Sequence, residues 1–478
     1  MNRVHIHPMR TMNPSASGPS SDTKVEALAR RLMALVDQGV LAPGARLRSV
    51  RDCAEKEGLS RNTVVEAYNR LVARGYADPR PGSGTYVRKP AGAPSPRIAT
   101  HVTEAVDVVS LLREQLEQQH AVRVGDGRPP ASWMEASELS RHLRVARSSE
   151  LAQLGHGYGT PWGYAPLRGT IVRLLHERQI AVDLRQVLLT QGANHALDLI
   201  VRHLLQPGDV VLVDAPGYYP LFGKLKLAKV ELVGVPRDAE GPDLDALRRL
   251  AARHRPKVFF TQTLAHNPTG TSIALPRAHG LLQVAAQQDF LVVEDDPFAD
   301  LMPPGAPRLA TLDQLQRVLY VSSFSKTLSA GLRVGYIAGA PATVAALCDL
   351  KMVTIVSTSD FVERVVWQLI SHGHYRKHLL RLKQRLGQAH RLALRLVART
   401  GLAVQPPDVN GYYLWAPLPP GLSEIELVRE AAAQDIFIAP GSVFYPDKCS
   451  PQPAMRVNVA YAGNERFQDL LSRLAHAR

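Results

Sequence analysis

Val321-Ser-Ser-Phe-Ser-Lys-Thr-Leu-Ser-Ala-Gly-Leu-Arg-Val-Gly-Tyr336 is the stretch on which the fold of this chain turns. It sets Lys326 in a turn of small residues straight after an apolar, strand-like run, and Arg333 follows seven residues on. A lysine that forms a Schiff base needs a polar, tightly packed site, and a phosphate held beside it needs a guanidinium fork. A Ser-Lys pair by itself is usually an ordinary surface lysine, so its neighbours decide the matter.

Working outward, apolar runs at residues 186–190, 210–214, 257–261, 290–294 and 318–322 read as strands, with amphipathic helices such as 194–205 and 275–288 between them. This alternation predicts an α/β domain with a largely parallel sheet. Several strand ends carry chemistry. The turn Thr190-Gln-Gly-Ala-Asn places the backbone amides of Gly192, Ala193 and Asn194 at a helix start, where a phosphate can bind. His266-Asn-Pro-Thr-Gly projects Asn267 from the end of a strand, and Val292-Val-Glu-Asp-Asp-Pro-Phe ends another in carboxylates. Asp295 there is suited to keeping a pyridine nitrogen protonated, which makes the ring an electron sink. Tyr218 offers a ring for stacking, and Arg456, in a strand near the C-terminus, can take a carboxylate bidentately.

The N-terminal part is different. Residues 24–36 place Val25, Leu28, Leu32, Leu35 and Val36 on one helical face, and Pro43-Gly44 forces a turn. A short helix over 50–57 is closed by Gly58, and Ser60 caps a third helix over 61–74, which Gly75 terminates. Val64, Ala67, Tyr68 and Leu71 face inward, while Arg61, Asn62 and Thr63 are expected in an exposed first turn, as a recognition helix requires. Residues 76–87 read as a two-stranded wing around Pro81-Gly82-Ser83-Gly84. The net charge is +14, and residues 21–90 carry thirteen Lys/Arg against eight Asp/Glu, so basic density is highest where a DNA-binding head would need it.

Residues 1–22 read as a disordered tail, or as an upstream extension if translation starts at Met9 or Met12. Three prolines within 90–96 open a linker that runs to residue 106. The expected division is therefore a head over 23–89, the linker over 90–106, and an α/β domain over 107–478 with a smaller subdomain from about 360. The three cysteines, Cys53, Cys348 and Cys449, lie far apart, which argues against a disulfide framework or a metal site and fits a reducing, cytoplasmic setting. No apolar run approaches the roughly 18 residues of a membrane span, and the first residues lack a secretory signal.

Residues 41–52, 58–64 and 75–87 resemble the winged helix-turn-helix of the GntR family. That resemblance implies contacts to double-stranded DNA by Arg51, Arg61, Asn62, Thr63 and the Gly82 wing tip; Arg48 stands where the family usually has proline, and either adds a phosphate contact or changes nothing. From about 107 onward the order and spacing of the turns resemble a fold-type-I, pyridoxal-phosphate-dependent aminotransferase of the aminoadipate and kynurenine subgroup. The resemblance implies Lys326 as the Schiff-base lysine, Asp295 on the pyridine nitrogen, Asn267 near the ring oxygen, Tyr218 over the ring, and Ser323 and Arg333 on the phosphate. It also puts Arg456 on the α-carboxylate of an amino compound, and sends Tyr158 to the phosphate of a partner subunit in a homodimer.

Two departures stand out: Phe298 replaces the tyrosine usual three residues after the aspartate, and Ala193 replaces a serine of the phosphate loop. Each removes one hydroxyl. A GntR-like head on an aminotransferase-like body is the arrangement of the MocR regulators, which implies a transcription regulator that senses cofactor or an amino compound. The alternative is an active aminotransferase carrying a DNA-binding head, and a basic head that binds protein rather than DNA is a further one.

Overall fold

The computed structural model describes residues 21–37, 41–80, 83–88, 112–113, 116–117, 120–134, 157–399, 402, 404 and 411–476. The expected linker at 90–106, the tail over 1–20 and Gly82 lie outside these residues. The chain divides into two compact units, 1–97 and 98–478.

In the first unit, α1 (Ser21–Asp37), α2 (Val50–Glu57) and α3 (Arg61–Ala73) precede an antiparallel pair, β1 (Ala77–Arg80) and β2 (Gly84–Val87). Helix α1 begins at Ser21, so the last two residues assigned to the tail are helical. Ser49 caps α2 by accepting from Asp52 N–H, and Gly58, at φ 62°, closes it in the left-handed conformation that glycine adopts without strain. The periodic apolar positions Val25, Leu28, Val64, Ala67, Tyr68 and Leu71 form one core with Leu47, Ala77 and Val87. Glu26 of α1 receives Arg70 of α3 (2.9 Å) and Arg74, the residue that caps α3 (3.1 Å), which takes these basic residues into helix–helix packing.

The second unit is built on an eight-stranded sheet ordered β3-β10-β9-β8-β7-β4-β5-β6. Its strands are β3 (Val187–Thr190), β4 (Val210–Ala215), β5 (Glu231–Asp238), β6 (Gly241–Pro242), β7 (Val258–Thr261), β8 (Leu291–Asp295), β9 (Val318–Ser323) and β10 (Gly335–Ala338). The run from β9 to β5 is parallel, while β10 lies antiparallel between β3 and β9, and β6 is antiparallel at the edge. The mixed, mainly parallel sheet expected from the alternation is thus present. Successive residues point to opposite faces, and both faces are covered: Leu189, Leu212, Phe259 and Val292 enter one core, Leu188, Val213, Phe260 and Val293 the other. Burial on both faces is why these strands read as continuous apolar runs.

A second sheet, β11 (Tyr413–Pro417), β12 (Ala439–Pro440) and β13 (Ala454–Asn458), is antiparallel in the order β11-β13-β12. Its core includes Leu382 and Leu386 of the helix His374–Arg399 and, from far earlier in the chain, Val122 and Val124. Val366, on the helix Asp360–Ser371, belongs instead to the core of the large sheet. Both facts move the small-subdomain boundary away from a single cut near 360. Among the described residues no helix is long and apolar enough to cross a membrane.

Candidate cofactor site and DNA-binding surface

Adjacent parallel strands of an open sheet end side by side, so residues just past their carboxyl ends meet in one crevice. Here those residues are Tyr218 after β4, Gln262 and Asn267 after β7, Asp295 at the end of β8, and Lys326 after β9. Asp295 is 8% exposed. Its Oδ2 accepts from Gln262 Nε2 at 2.6 Å, and its Oδ1 has no partner among the described residues. Burial raises the Asp295 carboxyl to about 7, opposed by the Gln262 hydrogen bond and assisted by the Asp296 carboxylate beside it. An orphaned, buried carboxylate oxygen is costly, and a protonated ring nitrogen is the kind of donor that satisfies it.

Lys326 donates from Nζ to the Gly127 carbonyl at 2.5 Å, and the Tyr413 hydroxyl donates to the same oxygen at 2.8 Å. Burial lowers the lysine to about 8, with Asp126 opposing the shift and Arg456, Arg128 and Arg333 adding to it. Arg456 is 1% exposed and donates to Asn267 Oδ1 (2.8 Å) and to the Gly125 carbonyl (2.5 Å), while its Nε has no partner among the described residues. Its guanidinium also lies 4.8 Å from the ring centroid of Tyr413. Tyr218 is half-buried, and burial together with the Asp295 carboxyl pushes its hydroxyl upward.

At the phosphate end, the helix Ala193–Leu204 starts at Gly192, whose φ is 75°. The amides of Ala193 and Asn194 fall in its first turn, where no helical acceptor exists. Arg333 lies against this turn, donating to Gln191 O (3.1 Å) and Ser325 Oγ (3.4 Å). A Cβ on Gly192 would come within 2.7 Å of the Arg333 guanidinium, and the φ of 75° is one that glycine adopts without strain. Ser323 is buried and its Oγ accepts from Ser325 N–H at 3.4 Å, which links it to the same cluster.

Two of the expected residues are not brought to this pocket within one chain. Phe298 is 1% exposed and packs its ring against Tyr412 and Tyr413, at 5.5 and 5.8 Å, in the small-subdomain core. Tyr158 stands 87% exposed. Conversely, Gln262, Gly127 and Tyr413 went unnoticed in the sequence. Gln262 alone left a signal: it follows a strand-like run at the same carboxyl end as Asp295.

On the head, Arg48 and Arg51 are exposed at the start of α2, and Arg61 and Asn62 at the start of α3. Thr63 corrects the expectation of an exposed first turn: it is 9% exposed, and its hydroxyl and backbone N–H are both bonded to Ser60 Oγ, at 2.8 and 3.1 Å. The cap that starts the helix holds Thr63 inward. Arg48 is held in place through its carbonyl, which accepts from Tyr68 OH at 2.9 Å.

The crevice fits pyridoxal phosphate through the orphaned Asp295 oxygen, the lysine whose charge burial disfavours and the arginine beside the glycine turn, and the other unit is a winged helix. Together they define a fold-type-I pyridoxal-phosphate protein that carries a DNA-binding head. Comparison with known proteins agrees. Residues 121–474 match the family "Aminotransferase class I and II", and residues 24–87 match "Bacterial regulatory proteins, gntR family". The HTH-type transcriptional regulator YdcR of Escherichia coli is 29% identical over 94% of this chain and 98% of its own. Aromatic-amino-acid aminotransferase 1 of Thermococcus litoralis is 31% identical over 72% of this chain and 91% of its own. Among solved structures, kynurenine aminotransferase of Pyrococcus horikoshii in complex with PMP superposes with a TM-score of 0.72 at 26% identity, covering 80% of this chain and 96% of its own. The chain belongs to the aminotransferase class I and II family, and its GntR head makes it one of the MocR-type regulators.

Proposed function

We propose that this chain regulates transcription by binding double-stranded DNA through its head and sensing an amino compound, or the cofactor itself, at Lys326. The observation that carries this reading is Arg456. It is a buried guanidinium with a free Nε, in the same crevice as Lys326, and it suits the carboxylate of an amino acid. Gly192, Ala193, Asn194, Ser323 and Arg333 would hold the cofactor phosphate, Asp295 the ring nitrogen, Asn267 the ring oxygen side and Tyr218 the ring face. When bound, the cofactor supplies a carbonyl carbon that accepts an amine and a ring that withdraws electrons. Lys326 would be the amine that holds the cofactor at rest, and a ligand amine would compete with it for the same place. The ligand acts on DNA binding only if it binds two arrangements of the protein with different affinity.

The test is binding to the DNA upstream of the chain's own gene, with and without pyridoxal phosphate and candidate amino acids. Affinity should change with an amino acid present. Arg61→Ala should weaken binding by about 1–3 kcal/mol, roughly 5- to 150-fold, while the cofactor's visible absorbance stays intact. An operator affinity indifferent to every ligand, together with steady turnover of amino acids, would favour the active aminotransferase. The intact set of Lys326, Asp295, Arg333 and Arg456 gives that second reading its support.

A homodimer is part of the proposal. Val353 (83%), Tyr158 (87%) and Phe361 (40%) are large exposed hydrophobics. Gly159 lies against Asp360 and Thr358, and Lys351 binds Pro161 O at 2.7 Å, so these side chains gather on one surface. An apolar group of this kind marks an interface, and it carries Tyr158 toward a second copy. Val353→Glu should shift the protein from dimer to monomer by light scattering and weaken cofactor retention with it. A dimer unaffected by that change would place the interface elsewhere.

A further inference from the structure

Gln262 is 4% exposed, and every polar group it has is engaged. Its backbone N–H donates to Asp214 Oδ2 (3.1 Å), and its carbonyl accepts from Arg237 Nη1 (3.3 Å). Asp214 is itself held by Thr261 Oγ1 (2.9 Å) and Arg237 (3.0 Å), with the His266 ring beside it, so the backbone of Gln262 rests on a buried polar cluster. Its side chain faces the crevice: Oε1 accepts from the backbone N–H of Asn267 (3.0 Å), and Nε2 donates to Asp295 Oδ2 (2.6 Å). A carboxamide has one acceptor oxygen and one donor nitrogen. Because the Asn267 N–H can only donate, the amide oxygen must face it, and the nitrogen must then face Asp295. The orientation of the group follows from the network alone.

We propose that Gln262 is a positioning residue for the cofactor: its amide nitrogen keeps Asp295 a carboxylate with Oδ1 left for the pyridine nitrogen, while its amide oxygen locks the Asn267 turn. This rests on the pyridoxal-phosphate reading of the site. Burial and the neighbouring Asp296 both disfavour the Asp295 anion, whereas Gln262 and Lys326 favour it; Tyr218 is the other titratable group that faces it. A carboxyl that has taken up a proton must give it up before it can pair with a protonated ring, so a site without the amide donor binds the cofactor less well at neutral pH. At higher pH the free site is ionised with or without the donor, and the difference narrows.

The experiment measures pyridoxal-phosphate affinity of the full chain from pH 6.5 to 9, by visible absorbance and fluorescence quenching, with far-UV circular dichroism as the fold control. Gln262→Met keeps length and volume but has no N–H. It should bind about 10- to 100-fold more weakly than wild type near pH 7, the effect of one hydrogen bond to a charged group, and the deficit should shrink as pH rises. Gln262→His, which retains a donor, should recover much of the affinity. Wild-type affinity in the Met variant, a deficit of equal size at every pH, or a His variant as weak as Met would each overturn the assignment. If the Met variant does not fold, the His variant decides: an affinity within a few-fold of wild type supports the donor role, and a pH-independent loss overturns it. A wild-type protein that takes up no cofactor would instead overturn the reading on which this rests.

Discussion

Lys326→Ala is expected to leave the purified protein without the visible absorbance that a lysine-bound cofactor gives, the largest change any single substitution should produce. Among the described residues the side chain makes one hydrogen bond, to Gly127 O, so its removal should leave the fold intact by far-UV circular dichroism. Asp295 and Arg333 remain, and weak, colour-altered binding of free cofactor should persist. Burial lowers the lysine to about 8, with Asp126 partly opposing and three arginines reinforcing. The neutral amine is the nucleophile. The neutral fraction rises as pH climbs through about 8, so cofactor uptake by the wild type should accelerate between pH 7 and 8 and level off above. The absorbance of a lysine-bound cofactor surviving unchanged in the alanine variant would move the anchor to another lysine. Lys351 is a fully buried lysine, but Pro161 O, Leu189 O and Thr358 Oγ1 already engage its Nζ.

Arg456→Ala should have the second largest effect, on ligand response rather than on cofactor. Truncating one member of a buried, hydrogen-bonded charge pair costs about 2–5 kcal/mol, roughly 30- to 5,000-fold in affinity. The readout is the spectral change when amino acids are titrated into the cofactor-loaded protein. Amino acids should lose affinity by that factor, while simple amines that lack a carboxylate should be affected far less. An equal loss for both classes would mean that Arg456 serves only to hold Asn267 and the Gly125 strap. The resting absorbance should survive, because the Arg456 contacts run to Asn267 Oδ1, Gly125 O and two aromatic rings rather than to Lys326 itself.

These expectations draw unequally on sequence and structure. The strand-like runs at 210–214, 257–261 and 318–322 appear as β4, β7 and β9 within a residue at each end, because strands buried on both faces have to be apolar throughout. The cap at Ser60 and the stop at Gly58 were equally plain, since each depends on bonds spanning a few residues. Thr63 was misjudged for the converse reason. Its place in the first turn suggested exposure, but rotation of the helix about its axis is set by what the apolar stripe packs on, and that turns Thr63 toward Ser60. Phe298 was legible as a missing hydroxyl, while its burial among Tyr412 and Tyr413 was not.

By itself the sequence determined the class of both units, the lysine turn and the order of the cofactor-facing strand ends, all of which are local patterns of period, turn and cap. Only the tertiary structure decided what those residues touch. The Gly127 carbonyl meets Lys326 from 199 residues away, Arg456 meets Asn267 from 189, and Val122 enters a core assembled mostly beyond residue 380. No spacing in a chain encodes such partnerships. They exist because the fold packs the small sheet and the residues near 122–127 against the carboxyl ends of the parallel strands, and burial there leaves each polar group in need of whichever partner the fold brings within reach.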